Sequence, residues 1–207
     1  TLYTIKQHKD YDMLVDKILH KTGLFDFLDK ILITRPFAIV SNNCWGYRLY
    51  KNIGLEYNTP FIGLYITASD FVEMCINLEH FLSRDIVESD FINTEHNFPV
   101  AFVDGVKIYF MHYNSRAEAM DKWNRRIKRL QSFISSHGLD RVVFKMCDRD
   151  GSYMDVMKFN ELKIKRTISF TSKENKGLVE SNGNIYPGDV LFNFRHRYYL
   201  KYIKTFR

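Results

Sequence analysis

The stretch Phe37-Ala38-Ile39-Val40-Ser41-Asn42-Asn43-Cys44-Trp45-Gly46-Tyr47-Arg48-Leu49-Tyr50 decides the fold class. Four apolar residues give way abruptly to a polar turn, and a helical pattern follows. A buried strand that empties into a polar loop and then a helix is how open α/β sheets build ligand sites at their carboxyl edge. The loop carries two carboxamides, a thiol, an indole and a glycine, more chemistry than a plain connection requires.

The same design recurs downstream. A strand is predicted over 61–66, followed by Thr67-Ala68-Ser69-Asp70 with the capping-box spacing and a helix running to about Phe81. A second strand, 106–111, precedes Ser115-Arg116-Ala117-Glu118 and a helix to about Leu130. A third, 141–146, precedes Ser152-Tyr153-Met154-Asp155 and a helix to about Leu162. Asp104-Gly105 between two apolar runs predicts a tight hairpin, and 168–171 supplies a last strand. The expected architecture is therefore α/β: a three-layer, Rossmann-like sandwich around a mostly parallel, mixed sheet with one antiparallel hairpin. The organisation is one domain over 1–207, with a helical preface (1–35), a motif-bearing core (37–172), and a loop plus basic-aromatic tail (173–207).

Composition narrows the function. A chain of 207 residues with 45% hydrophobic and 26% charged content can bury one substantial core. The net charge of +6 points to an anionic partner such as a nucleotide phosphate or anionic lipid. No RNA- or DNA-binding signature interleaves with the basic residues, so nucleic acid is not expected as a partner. Cys44, Cys75 and Cys147 form no CxxC pair and read as reduced thiols. The first residues are too charged for a secretory leader, and no run approaches the ~20 apolar residues of a membrane span. A cytoplasmic protein is expected. Its C-terminal segment, with Arg195, Arg197, Lys201 and Lys204 among Tyr198, Tyr199 and Tyr202, is a candidate for peripheral contact with the inner membrane face.

Several polar groups could carry chemistry. Asn42 and Asn43 can donate and accept at once, which suits sugar hydroxyls or a base edge, while Ser41, Trp45 and Gly46 complete a cradle. Cys44 is a candidate nucleophile, or a packed thiol in a structural turn. His112 directly follows a strand, where a general base is useful. Arg125 or Arg126 is a candidate clamp for a pyrophosphate or carboxylate. Trp123 falls on an apolar stripe with Ala117, Met120, Ile127 and Leu130 and reads as core. Asp148-Arg149-Asp150 resembles the DxD of many glycosyltransferases, whose carboxylates hold a divalent cation against the leaving diphosphate; it equally suits turn and capping chemistry.

Three ordered motifs, SNNCWG (41–46), HYNS (112–115) leading into KWNRR (122–126), and DRDG (148–151), resemble a domain-of-unknown-function family whose members are described as exopolysaccharide-biosynthesis proteins. Tyr47 stands where that family usually has a second glycine. The resemblance implies a role in cell-surface polysaccharide assembly and leaves the reaction open. The expected function is a transferase using an activated sugar, with a nucleotide-sugar or glycan as substrate and Mg or Mn as a possible cofactor. Asn42 and Asn43 would position hydroxyls, His112 act as base, Arg125 or Arg126 and Arg149 contact substrate, and Asp148 and Asp150 bind metal or donor ribose. The alternatives are acyl or group transfer through Cys44, and a non-catalytic glycan-binding or scaffold module.

Overall fold

The computed structural model describes residues 21–171 without interruption, together with residues 14, 15, 18, 19, 199 and 203–207. The segment 173–188, read from sequence as a loop, and most of the basic-aromatic tail lie outside the described residues.

The fold is α/β, with strands divided between two three-stranded sheets. One is parallel, in the order β1 (Ala38–Ser41), β5 (Val142–Cys147), β6 (Thr167–Phe170). The other is antiparallel, in the order β2 (Phe91–Ile92), β3 (Val100–Val103), β4 (Val106–Tyr109). At the β3–β4 turn both Asp104 (φ 50°) and Gly105 (φ 83°) are left-handed, the geometry that an Asp-Gly hairpin favours.

The segment 61–66 was expected to be a strand and is not one. Gly63 sits at φ 78° and Ile62 N–H turns back to the Pro60 carbonyl (2.8 Å), so no ladder can propagate. What remains is a stitch between the sheets. Tyr65 and Tyr109 exchange two backbone hydrogen bonds (2.9 Å each), and Ile66 N–H donates to the Asn42 carbonyl at the end of β1 (2.8 Å).

Side chains of the parallel sheet alternate between two cores, as strand geometry demands. Ala38, Val40, Phe144 and Met146 face the larger core, which includes Phe61, Trp123 and Phe159. Ile39, Val143, Cys147 and Ile168 face the smaller one, with Phe25, Tyr50, Tyr199 and Phe206. Helices α1 (Leu24–Leu32) and α2 (Tyr47–Ile53) thus cover one face. On the other lie α3 (Ala68–Ile76), α4 (Leu78–Leu82), α5 (Arg116–His137) and α6 (Tyr153–Glu161).

The three predicted caps are all formed. Thr67, Ser115 and Ser152 accept from the backbone N–H of Asp70, Glu118 and Asp155 respectively. The helix expected to run to Phe81 breaks at Asn77, whose carboxamide turns back onto Glu73. The buried stripe of α5 is Ala119, Trp123, Ile127, Leu130 and Phe133. Ala117 is exposed, so the stripe lies rotated from the one predicted while keeping Trp123 in the core.

Gly151, which closes the DRDG turn, owes its identity to packing. A Cβ there would lie 2.1 Å from the Ala68 Cβ at the start of α3. Gly151→Ala should destabilise the protein by about 1–3 kcal/mol in chemical denaturation, and Ala68→Gly in the same chain should restore part of the loss. An unchanged midpoint for Gly151→Ala would refute the contact.

Candidate functional site

The carboxyl ends of β1 and β5 lie side by side, with Ser41 in register with Lys145. β5 is apolar except for Lys145, which is 2% exposed and points into the smaller-core side with Cys147. A buried ammonium must be surrounded by acceptors to offset its lost hydration. Lys145 Nζ donates to Asn43 Oδ1 (2.8 Å), Cys147 Sγ (3.1 Å) and Asn42 Oδ1 (3.4 Å), which uses its three N–H groups.

These contacts explain the double asparagine. Asn42 Nδ2 donates to the Cys147 carbonyl (3.2 Å), and its Oδ1 also accepts from Cys147 N–H (3.3 Å). Asn43 Nδ2 donates to Cys147 Sγ (3.1 Å), and its Oδ1 also accepts from Trp45 N–H (3.3 Å). Both carboxamides are buried and engaged by the protein itself, so they frame the loop. Ser41 is buried as well, its Oγ accepting from Asn43 N–H. Trp45 packs toward Phe170 (6.3 Å between centroids). Gly46, at φ 95°, starts α2 where a Cβ would fall 2.8 Å from Ile39 Cδ1.

Cys44 points the other way, out of this cluster. Its half-buried thiol donates to the Leu64 carbonyl (3.4 Å) and lies 3.9 Å from Met111 Sδ. Burial pushes the thiol above its ordinary range, against the lowering effects of a Gly63 backbone contact and of the Arg149 and Lys145 charges. His112 is exposed, and its backbone N–H is anchored to the Gly63 carbonyl (3.0 Å), beside the same strip that touches Cys44.

The Asp148–Asp150 turn follows β5 directly, with Asp148 buried and Arg149 paired to Asp150 at 3.9 Å. Tyr65, stacked flat on Tyr109 (4.4 Å, 3°), lies within electrostatic reach of both Asp150 and Arg149. Loops 41–46, 111–112 and 148–150 therefore meet along one edge, with 63–65 between them.

Arg125 and Arg126 are both engaged by the protein itself. Arg125 is exposed and pairs with Asp121 one turn away (3.3 Å). Arg126 donates to the Tyr113 hydroxyl (2.9 Å) and lies over the Tyr57 ring (5.1 Å), while Tyr113 donates to the Ile62 carbonyl (2.7 Å). The HYNS and KWNRR motifs thus lock the turn after β4 onto α5, Arg126 reaching the margin of the convergence through Tyr113 while Arg149 acts directly on Cys44. Among the described residues, no three His, Cys, Asp or Glu side chains gather around a common point. Asp148 and Asp150 could hold a divalent cation only if substrate oxygens or water completed its shell.

A family model described as a domain of unknown function, DUF1919, matches residues 17–186. The chain belongs to this family. It is also 31% identical over 147 residues to an uncharacterized protein of Haemophilus influenzae, which covers 70% of this chain and 66% of the relative. The chain thus spans just under two thirds of that relative's length. No helix among the described residues is long and apolar enough to cross a membrane.

Lys145 and Cys147 escaped the sequence reading because 141–146 scans as an ordinary buried strand. The available signal was the lysine itself, a charge inside the run Val142-Val143-Phe144-Lys145-Met146-Cys147. The Tyr65–Tyr109 stack had no signal, since it depends on how two distant segments pair.

Lys145→Met should destabilise the protein by about 1–3 kcal/mol, because it removes three hydrogen bonds, to Asn42, Asn43 and Cys147, from a buried polar cluster; a denaturation midpoint equal to that of the parent would refute the network. Cys44, with its raised value, should be alkylated more slowly at pH 8 than a free thiol, and its rate should climb only above the ordinary value of 9.0. The folded state holds this proton more tightly, so the associated stability is present below that ordinary value and is lost as pH rises through the raised one. Mass-resolved alkylation across pH reads the first effect directly.

Proposed function

We propose that the protein is a transferase of exopolysaccharide biosynthesis that takes an activated sugar, such as a nucleotide-sugar, at the carboxyl edge of the parallel sheet. The observation that carries this reading is the meeting of loops 41–46, 111–112 and 148–150 at one edge with Arg149 among them. Arg149 and the buried Lys145 both act as cations on Cys44, charge that a diphosphate bound there would meet. The Tyr65–Tyr109 pair offers an aromatic face for a base or a sugar ring. In this reading Arg149 steadies the departing phosphate, and His112, exposed beside Gly63, takes the proton of the acceptor hydroxyl. Asp148 and Asp150 contact the donor ribose, or a Mg or Mn ion that would neutralise diphosphate charge when bound. Asn42 and Asn43 act by holding the loop in shape. The site is cytoplasmic in this proposal, with the C-terminal segment resting against the inner face of the membrane.

A second reading is favoured by the placement of Cys44, which lies within the fields of Arg149 and Lys145 and beside the strip that anchors His112. There Cys44 would carry an acyl or other group through a thioester, with His112 as its base. In a third, the same edge binds glycan without turnover.

A thermal-shift screen against nucleotide-sugars, with and without Mg²⁺ or Mn²⁺, separates these readings. Selective stabilisation by one donor is expected, weakened about tenfold or more in affinity by Arg149→Ala. With that donor, His112→Ala should lower turnover by about 100-fold or more while binding persists. Full activity of both variants would overturn the transferase assignment. Loss of activity in Cys44→Ser alone would favour the thioester reading, and glycan binding without any donor response would favour the third.

A further inference from the structure

Lys145 and Cys147 share one buried pocket at the carboxyl end of β5. They sit two residues apart on β5, so their side chains leave the same face of the strand. Their Nζ and Sγ atoms are 3.1 Å apart, and the residues are 2% and 0% exposed. Asn43 holds both ends of the pair: its Oδ1 accepts from Nζ (2.8 Å) while its Nδ2 donates to Sγ (3.1 Å). The Cys147 thiol faces Asn42 Oδ1 at 3.9 Å. The other two cysteines are placed differently: Cys44 faces Leu64 and Met111, and Cys75 lies on α3.

We propose that Lys145 and Cys147 form a redox modification site, closing under oxidation into a covalent Nζ–O–Sγ bridge. The oxidant class is dioxygen or a peroxide, both small enough to enter a buried pocket through local opening. Written with amine and thiol, the net step with dioxygen is balanced. One N–H and one S–H bond break, one oxygen atom becomes the bridge, and the other leaves as water with those two hydrogens. Nitrogen and sulfur each give up two electrons, and dioxygen takes all four; with hydrogen peroxide two molecules are consumed, each taking two electrons, and three waters leave. Four thiol equivalents undo the bridge, leaving as two disulfides and returning amine, thiol and one water. Because the two atoms are already in contact and aligned by Asn43, closure requires no movement of the strand. Bulkier electrophiles are excluded by burial, which distinguishes Cys147 from an exposed redox-sensor thiol.

Closure has a consequence for the neighbouring edge. The bridged nitrogen no longer carries the ammonium charge that acts on Cys44. Oxidation of a buried pair would thus remove one of the two cations acting on Cys44 without touching an exposed group. The bridge itself rests on the Lys145–Cys147 geometry and not on the transferase reading.

The test uses the full chain, first reduced and then exposed to graded hydrogen peroxide, followed by tryptic digestion without reductant and mass analysis. Cleavage after Lys145 should be lost, and a peptide spanning 142–149 should appear one oxygen heavier and two hydrogens lighter. Dithiothreitol should restore both cleavage and mass. The same product is expected from a Cys44→Ser, Cys75→Ser variant, which excludes a disulfide as its source. Continued cleavage after Lys145, with Cys147 either unmodified or carried only to sulfinic acid, would overturn the bridge. So would a joined peptide two hydrogens lighter that has gained no oxygen.

Discussion

A lysine ammonium taken out of water has to be met by acceptors before the chain around it can close, and that requirement organises this protein. Lys145 projects from the central strand of the parallel sheet, and the oxygens and sulfur that receive it come from the loop after β1 and from its own strand. The loop cannot take another shape without stranding the charge. Its two carboxamides are in turn fixed by the Cys147 backbone and thiol, so the polar cluster is closed on itself. Everything facing outward at this edge, from Cys44 to the Asp148–Asp150 turn, is carried by that framework.

The two faces of the sheet contribute differently. On the larger-core side, aromatic rings meet edge to face around Trp123, with Phe61, Phe81 and Phe110 within 5.6–6.1 Å. This packing positions α5 and, through the Arg126–Tyr113 contact, the turn that carries His112. On the smaller-core side, Tyr50 does the equivalent for the first loop: its buried hydroxyl accepts from Ile39 N–H and donates to Asn58. Burial pushes that phenol upward, so it stays neutral and serves as a fixed hydrogen-bonding post. The turn carrying His112 is thus backed by the adjacent Tyr113, and β1, which leads into the first loop, by Tyr50.

What the sequence made legible was what depends on neighbours along the chain. Ser115 and Ser152 announce their helices because a cap needs only the next three residues, and Asp104-Gly105 announces its turn for the same reason. The strand expected at 61–66 failed because Gly63 bends the backbone there, and a single residue outweighed the apolar run around it. Arg125 and Arg126 looked like a ligand clamp because adjacent arginines on a helix signal charge; their use against Asp121, Tyr57 and Tyr113 depends on elements more than ten residues away in most cases. Asn42 and Asn43 looked equally ready for a ligand or for structure. Only their pairing across about a hundred residues with Lys145 and Cys147 shows where their hydrogen bonds go.

That separation also bears on how the protein comes into being. The antiparallel hairpin joins residues within about ten positions of each other and can form as soon as it leaves the ribosome, whereas β1 finds its partner only after β5 has been made. Until residue 145 emerges, Asn42 and Asn43 have no cation to enclose. The loop that looks most like a site is thus among the last parts of the chain to acquire its shape. A nascent or truncated chain ending before β5 would present SNNCWG as an unstructured polar segment, with none of the chemistry of the finished edge.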